Sequence, residues 1–228
     1  MCYHVSSSLD SDRLKSVLKK KVVLNAGKYV PGHHFHGFSK PYLPVISTLK
    51  PEALDFFRWM LIPGWVKTEK DFKSNTLNAT CEDLFEKPSY RSYWKNRCLI
   101  AVSGFFEPHQ VAGQKSSQTY YVRPKEGEIL TLGGIFSVWQ GMPTFSIITV
   151  PASPLLEEVH NEKKRMPLIL DGDNAAAWLL PDLSREEMTN LMIPYPEDSK
   201  LEAFRVMDGV LNTRMDTNIP EVTVAVKG

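Results

Sequence analysis

The stretch Cys98-Leu99-Ile100-Ala101-Val102-Ser103, followed at once by Gly104-Phe105-Phe106-Glu107-Pro108, decides how this chain is read. Apolar residues in succession, with no polar alternation, predict a strand buried on both faces. Glu107 then stands at the exit of a buried strand, beside two aromatics. Partial desolvation there raises a carboxyl toward a general acid; a solvated strand-end glutamate is the alternative.

Downstream, Thr119–Val122, Ile129–Leu132, Ile135–Val138 and Phe145–Val150 are short β-type runs parted by Gly, Pro and charges. Gly133-Gly134 reads as a hairpin turn. After Pro151 the period becomes helical: Ser153 as cap, Leu155, Leu156 and Val159 on one face, then His160. Asp173–Leu180 opens on a capping Asp, and Ser184 with Glu187 forms a capping-box pattern over Ser184–Met192. Phe204–Met207 and Val222–Val226 close as strands.

Upstream, Leu14, Val17 and Leu18 predict a surface helix between about Ser8 and Val23, after an extended N-terminal strand. Residues 25–45, rich in Gly, His and Pro, read as a long loop. Val45–Leu49 and Phe56–Leu61 read as strands before the Pro63-Gly64 turn, and Pro88–Lys95 as a helix. The result is one α+β domain over residues 1–228, with its strands mostly in the middle.

The chain's 228 residues suit one domain with a substantial core. Apolar content of 43% and charged content of 23% are those of ordinary globular proteins, and they argue against a chain dominated by disorder. A net charge of +1 means that any nucleic-acid contact must come from a local basic patch. No apolar run approaches the roughly 20 residues of a membrane span, and the N-terminus has no signal-peptide h-region. Cys2, Cys81 and Cys98 are an odd set without disulfide or CxxC spacing, which points to a reducing, cytoplasmic setting.

Four residues invite chemistry. Cys2, once Met1 is removed, is an N-terminal 1,2-aminothiol. Its amine and thiol have ordinary pKa values of about 8 and about 8.5, so both nucleophiles are usable near neutrality. With an aldehyde the amine forms a Schiff base and the thiol closes a five-membered thiazolidine. Position alone favours a small residue of no function. His160 suits proton transfer or structural hydrogen bonding, Glu107 is as described, and Asn78 fits a turn or cap as well as a site. His33, His34 and His36 lack companion ligands at zinc spacing and read as surface-loop histidines. No phosphate-cradling glycine loop and no GxSxG elbow are present.

Taken in order, these residues resemble the SRAP family (SOS response-associated peptidase domain), also called abasic-site processing proteins. The matching segments are Met1-Cys2, Ile62-Pro63-Gly64-Trp65, Asn78-Ala79 with Glu82, Gly104-Phe105-Phe106-Glu107 and Ile147-Ile148-Thr149. They continue through His160, Arg165-Met166-Pro167-Leu168-Ile169-Leu170, Ala177-Trp178-Leu179, and Val210 with Asn212 and Arg214.

The resemblance implies a mixed and antiparallel barrel-like β core with flanking helices. It implies covalent capture of abasic sites in single-stranded DNA by Cys2, together with autoproteolytic exposure of Cys2 and lyase activity. Asn78 would orient the amine, Glu107 would act as general acid/base, and His160 would shuttle protons. Tyr3-His4 follows Cys2 where members commonly carry Gly-Arg, Thr80 replaces an arginine, and Asn161-Glu162-Lys163-Lys164 lengthens the segment before Arg165. The expected DNA contacts are therefore His4, Trp65, Lys163, Lys164, Arg165 and Arg214, with Trp65 either stacking on a base or packing in the core. The expected protein is a cytoplasmic monomer, nucleoid-associated when bound, without metal, cofactor or membrane contact. A cysteine peptidase acting on proteins and a non-covalent single-strand-binding module are the competing readings.

Overall fold

The computed structural model describes residues 2–114, 116–212 and 215–226. The stretch at 98–108 proves to be the bridge between two sheets. Strands β1 (His4–Ser7), β2 (Val22–Val23), β3 (Gly32–His36), β4 (Tyr42–Ser47), β5 (Lys50–Trp59), β6 (Asn78–Thr80) and β7 (Arg97–Val102) come first. They are followed by β8 (Gly104–His109), β9 (Gln118–Pro124), β10 (Leu130–Trp139), β11 (Met142–Pro151), β12 (Arg165–Pro167) and β13 (Leu201–Arg205). The helices are short: α1 (Ser11–Val17), α2 (Pro154–Val159), α3 (Gly172–Trp178) and α4 (Arg185–Leu191).

Antiparallel neighbours β5-β4-β7-β10-β11 close into a ring through a parallel contact that sets Arg58 opposite Thr144 and Trp59 opposite Phe145. Strands β6 and β12 continue β11 beyond the ring, and β2 extends β5. The second sheet runs β13-β9-β8-β1-β3, every pair antiparallel. The fold is thus α+β with a barrel-like β core.

One residue separates β7 in the ring from β8 in the second sheet. That residue, Ser103, donates its N–H to the Ser6 carbonyl at 2.7 Å. Gly104 is required by close approach: a Cβ there would lie 2.5 Å from the Val122 carbonyl oxygen. With both faces of β7 covered, the unbroken apolar pattern follows from its position.

Several expectations need correction. Gly133-Gly134 is no turn; both residues lie within β10, where a Cβ on Gly134 would meet the Ser146 carbonyl at 2.6 Å. Residues 25–45 are not one loop but hold β3 and β4. Gly32, just after Pro31, begins a sheet-edge strand, where a missing donor or side chain costs least. The HHFH histidines lie in that strand rather than on a surface loop, and His34 is buried.

Pro88–Lys95 forms successive turns instead of a helix. Its aromatics are drawn to separate partners, Tyr90 to the Asn78 carbonyl, Tyr93 to the Gly64 N–H and Trp94 to Phe85. Val222–Val226 is no strand, because Pro220–Thr223 is a 3-10 turn. The cap position of α3 is Asp171, with Asp173 inside the first turn. The capping box of Ser184 and Glu187 is present with both bonds formed.

Candidate active site

Cys2 lies two residues before the start of β1, and β1 pairs with β8 so that His4 faces Phe106 and Val5 faces Phe105. This pairing brings the start of the chain near Glu107, whose charge acts on both Cys2 and Tyr3. Cys2 is fully buried in the same apolar cluster as Leu77 and Ala79, which flank Asn78 on β6. Burial first, and then the charge of Glu107, push its thiol well above the ordinary range.

Glu107 is fully buried on β8, after the buried Phe106 and before the half-buried Pro108. Burial raises its carboxyl to about 7, against the smaller downward pull of the chain's amino terminus and of Lys163. His160 caps the C-terminal end of α2 and is also buried. Burial lowers its imidazole to about 4; the amino terminus and Lys163 add to this, while the bond to Arg165 opposes it.

His160 Nδ1 lies 3.0 Å from the Arg165 carbonyl and 3.4 Å from Glu107 Oε2. Facing a carbonyl, Nδ1 carries the proton, which leaves Nε2 as the acceptor nitrogen. Near neutrality the pair is therefore a half-protonated acid beside a neutral base, not a fixed ion pair. The two displacements are opposed because burial disfavours the charged form of each group.

Asn78 opens β6 opposite Ile147, and its carbonyl accepts from the Tyr90 hydroxyl at 2.9 Å. Its side-chain amide is buried and makes no hydrogen bond among the described residues. Buried amides are rarely left so, and this one has capacity for a group arriving at the site.

The residues expected to meet DNA are dispersed. His4 stacks on His34 at 5.1 Å, with His4 Nδ1 2.9 Å from His34 Nε2, and burial lowers it to about 3, so it offers no cation at neutral pH. Trp65 is exposed rather than in the core (62%), edge-on to Phe72 beside Val66. Lys163 is exposed and acts electrostatically on both Glu107 and His160, whereas Lys164 pairs with Glu157 at 3.4 Å. Arg165 is engaged: it grips Glu82 at 2.6 and 2.9 Å and donates to the Thr149 carbonyl at 2.6 Å. Arg214 lies outside the described residues.

The role of Glu82 as the partner of Arg165 was not foreseen from the sequence, and no local pattern announces a pair 83 residues apart. Among the described residues, no three His, Cys, Asp or Glu side chains converge as a metal site. None of the described helices is long and apolar enough to cross a membrane.

Comparison with known proteins adds independent findings. The sequence model of the family described as SOS response associated peptidase (SRAP) matches residues 1–213. The abasic site processing protein YoqW of Bacillus subtilis (strain 168) is 31% identical over 206 residues, covering 87% of this chain and 88% of that one. The abasic site processing protein HMCES of Gallus gallus is 32% identical, covering 78% of this chain and 65% of its own length. A crystal structure of a protein from Bacteroides thetaiotaomicron superposes with a TM-score of 0.88 at 29% identity, covering 99% of this chain and all of that one.

Proposed function

Because the chain belongs to the SOS response associated peptidase family, we propose that it acts on DNA damage, capturing abasic sites in single-stranded DNA covalently through Cys2. The observation that carries this reading is the buried Glu107–His160 pair beside Cys2, with the acid raised and the base lowered.

The step balances without a co-reactant. Glu107 protonates the ring oxygen of the abasic sugar, which opens to the C1′ aldehyde. The neutral α-amine of Cys2 attacks C1′, the Glu107 carboxylate takes the proton released by the nitrogen, and it returns that proton to the departing hydroxyl as the carbinolamine loses water to give an imine. The thiol then adds across the C=N bond, its proton passing to nitrogen, and a thiazolidine results with net loss of one water. Asn78 orients the amine through its unoccupied amide, and His160 moves the proton of the sugar hydroxyl, also on reversal.

Removal of Met1, which the family name suggests is autoproteolytic, is a precondition, because an encoded Met1 blocks the amine. The exposed Lys163 and Trp65 contribute the DNA grip, with Arg165 joining them once a phosphate displaces Glu82, and the protein works as a cytoplasmic monomer. β-Lyase cleavage of the captured strand belongs to the same reading, since an imine at C1′ acidifies the C2′ protons. Action as a general cysteine peptidase is less well supported. Such an enzyme needs a stabilised thiolate, and burial moves the Cys2 thiol the opposite way.

The test is incubation of the mature protein with single-stranded DNA carrying one abasic site, followed by denaturing electrophoresis and intact mass. A heat-stable adduct is expected, with the mass of the Met1-less protein plus DNA less one water. Equal crosslinking by Cys2→Ala would refute the reading.

A further inference from the structure

The end of β8 and the end of α2 are joined by bonds that neither strand pairing nor helix geometry supplies. Asn161 Oδ1 accepts the Gln110 N–H at 3.0 Å, and Asn161 Nδ2 donates to the Gln110 carbonyl at 2.8 Å. One side chain thus reproduces the two-bond exchange of an antiparallel pair. His109 Nδ1 adds contacts of 3.0 and 3.2 Å to the carbonyls of Glu158 and Val159. Gln110 is the first residue beyond β8, three after Glu107, while Asn161 directly follows His160.

The segment after His160 is itself closed. Lys164 N–H donates to the His160 carbonyl at 3.0 Å, and the Lys164 carbonyl accepts from Ala152 N–H at 3.0 Å. Lys164 takes a left-handed φ of 48° to make that turn, a strain that a non-glycine residue tolerates only when its surroundings hold it. Residues 161–164 therefore form a bonded loop whose first side chain is fastened to the residue that follows the strand carrying Glu107.

We propose that Asn161 is a positioning residue, whose clasp on the Gln110 backbone fixes the 3.4 Å approach of His160 to Glu107. The inference deepens the reading above, since that pair is the proton-handling unit it invokes. Only a primary amide serves: Asp has no donor for the Gln110 carbonyl and Ala has neither function. A displacement of about 1 Å in such a pair is enough to cost roughly a hundredfold in rate.

The titratable or charged groups acting on Glu107 are the Cys2 thiol, the Tyr3 hydroxyl, the chain's amino terminus, His160 and Lys163. Asn161→Ala leaves all of them in place. It loosens the junction and admits water, so burial acts less on both members of the pair.

The experiment is an NMR titration of the full chain with 13C-labelled Glu and His, wild type against Asn161→Ala. The Glu107 midpoint should fall by about one unit or more, and that of His160 should rise. Unchanged midpoints with only a lower melting temperature would mean a merely structural clasp and overturn the proposal. If Asn161→Ala does not fold, hydrogen exchange of the wild-type Gln110 amide decides. Protection like that of the β8 interior supports the clasp, and exchange at the rate of an exposed loop overturns it. These readouts need no DNA, so a wild type that forms no crosslink would sink the functional reading and leave this one standing. If wild type does crosslink, Asn161→Ala should do so about tenfold more slowly or worse.

Discussion

His160 Nδ1 stands 3.4 Å from Glu107 Oε2 with both side chains buried, and burial moves the two groups in opposite directions, Glu107 up to about 7 and His160 down to about 4. Neither state is cheap for the fold. Above pH 7 a carboxylate is enclosed in the core; below pH 4 an imidazolium is. Between those values the pair is close to neutral, and the proton of Glu107 is available at physiological pH.

Glu107→Gln should therefore separate stability from activity. A folded pKa above the unfolded one contributes stability that is fully present below about pH 4.5 and lost as pH rises through about 7. Gln avoids that loss, so thermal melts should show the variant gaining on wild type by about 1–3 kcal/mol at pH 8 and by little at pH 4.5. Crosslinking to abasic single-stranded DNA should fall by about 10²-fold or more in the same protein. The decline of the wild-type rate as pH rises through about 7 should also vanish.

Acidification should expose the buried histidines. His4, His34 and His160 have folded values of about 3, about 4 and about 4, each lowered first by burial. A folded pKa below the unfolded one means stability complete above about 6.5 and lost as pH falls toward those values. Glu107 opposes them by giving up its extra proton on unfolding. Denaturant unfolding between pH 6 and 5 should show stability falling with acidity by up to about 2.7 kcal/mol per pH unit, from two net protons. His34→Gln should flatten that slope, and an unchanged slope would show that His34 is not neutral in the fold.

What could be read before the structure follows from the range of the forces involved. Cys98–Val102 and Phe145–Val150 declare themselves because both faces of those strands are covered, so burial is written into every position. The Ser184 capping box is legible because its partners are three residues apart. Strand β3 is not, since an edge strand accommodates the Gly, His and Pro that spell a loop elsewhere. Cys2, Glu107 and His160 stand out through family order, yet Cys2 nears Glu107 through the β1–β8 pairing and His160 reaches it from the end of α2. Glu82–Arg165 and Gln110–Asn161 join residues more than fifty apart in sequence, where no periodicity reaches.

Gly134 tests the ring itself. The residue lies between Cys98 on β7 and Ile147 on β11, and a Cβ there would meet the Ser146 carbonyl oxygen at 2.6 Å and Ile100 Cδ1 at 2.7 Å. Backbone cannot swing aside as a side chain can. Gly134→Ala should lower stability by about 1–3 kcal/mol, the usual cost of overpacking, as measured by urea unfolding. A Gly141→Ala control is strained for a different reason: its φ is 81° and nothing crowds its Cβ, so the two variants separate clash from conformation.

The engaged state of Arg165 leads to a gain-of-binding prediction. Its guanidinium is shared between Glu82 and the Thr149 carbonyl, and the hydrogen bond to Arg165 is the first cause holding Glu82 at about 2. A depressed carboxyl contributes stability above about pH 4.5 that is lost as pH falls through about 2. Because Glu82 is largely exposed, the pair contributes no more than about 1 kcal/mol. Glu82→Gln should therefore melt almost as wild type at pH 7 while leaving Arg165 uncompensated beside the site. If Arg165 meets a phosphate in the complex, the variant should bind intact single-stranded DNA more tightly. The slope of log affinity against log salt should then steepen by up to about 0.7, one further counterion released. Fluorescence anisotropy across a salt series reads both quantities. Identical affinities and slopes would place the phosphate contacts elsewhere, with the exposed Lys163 the first position to examine.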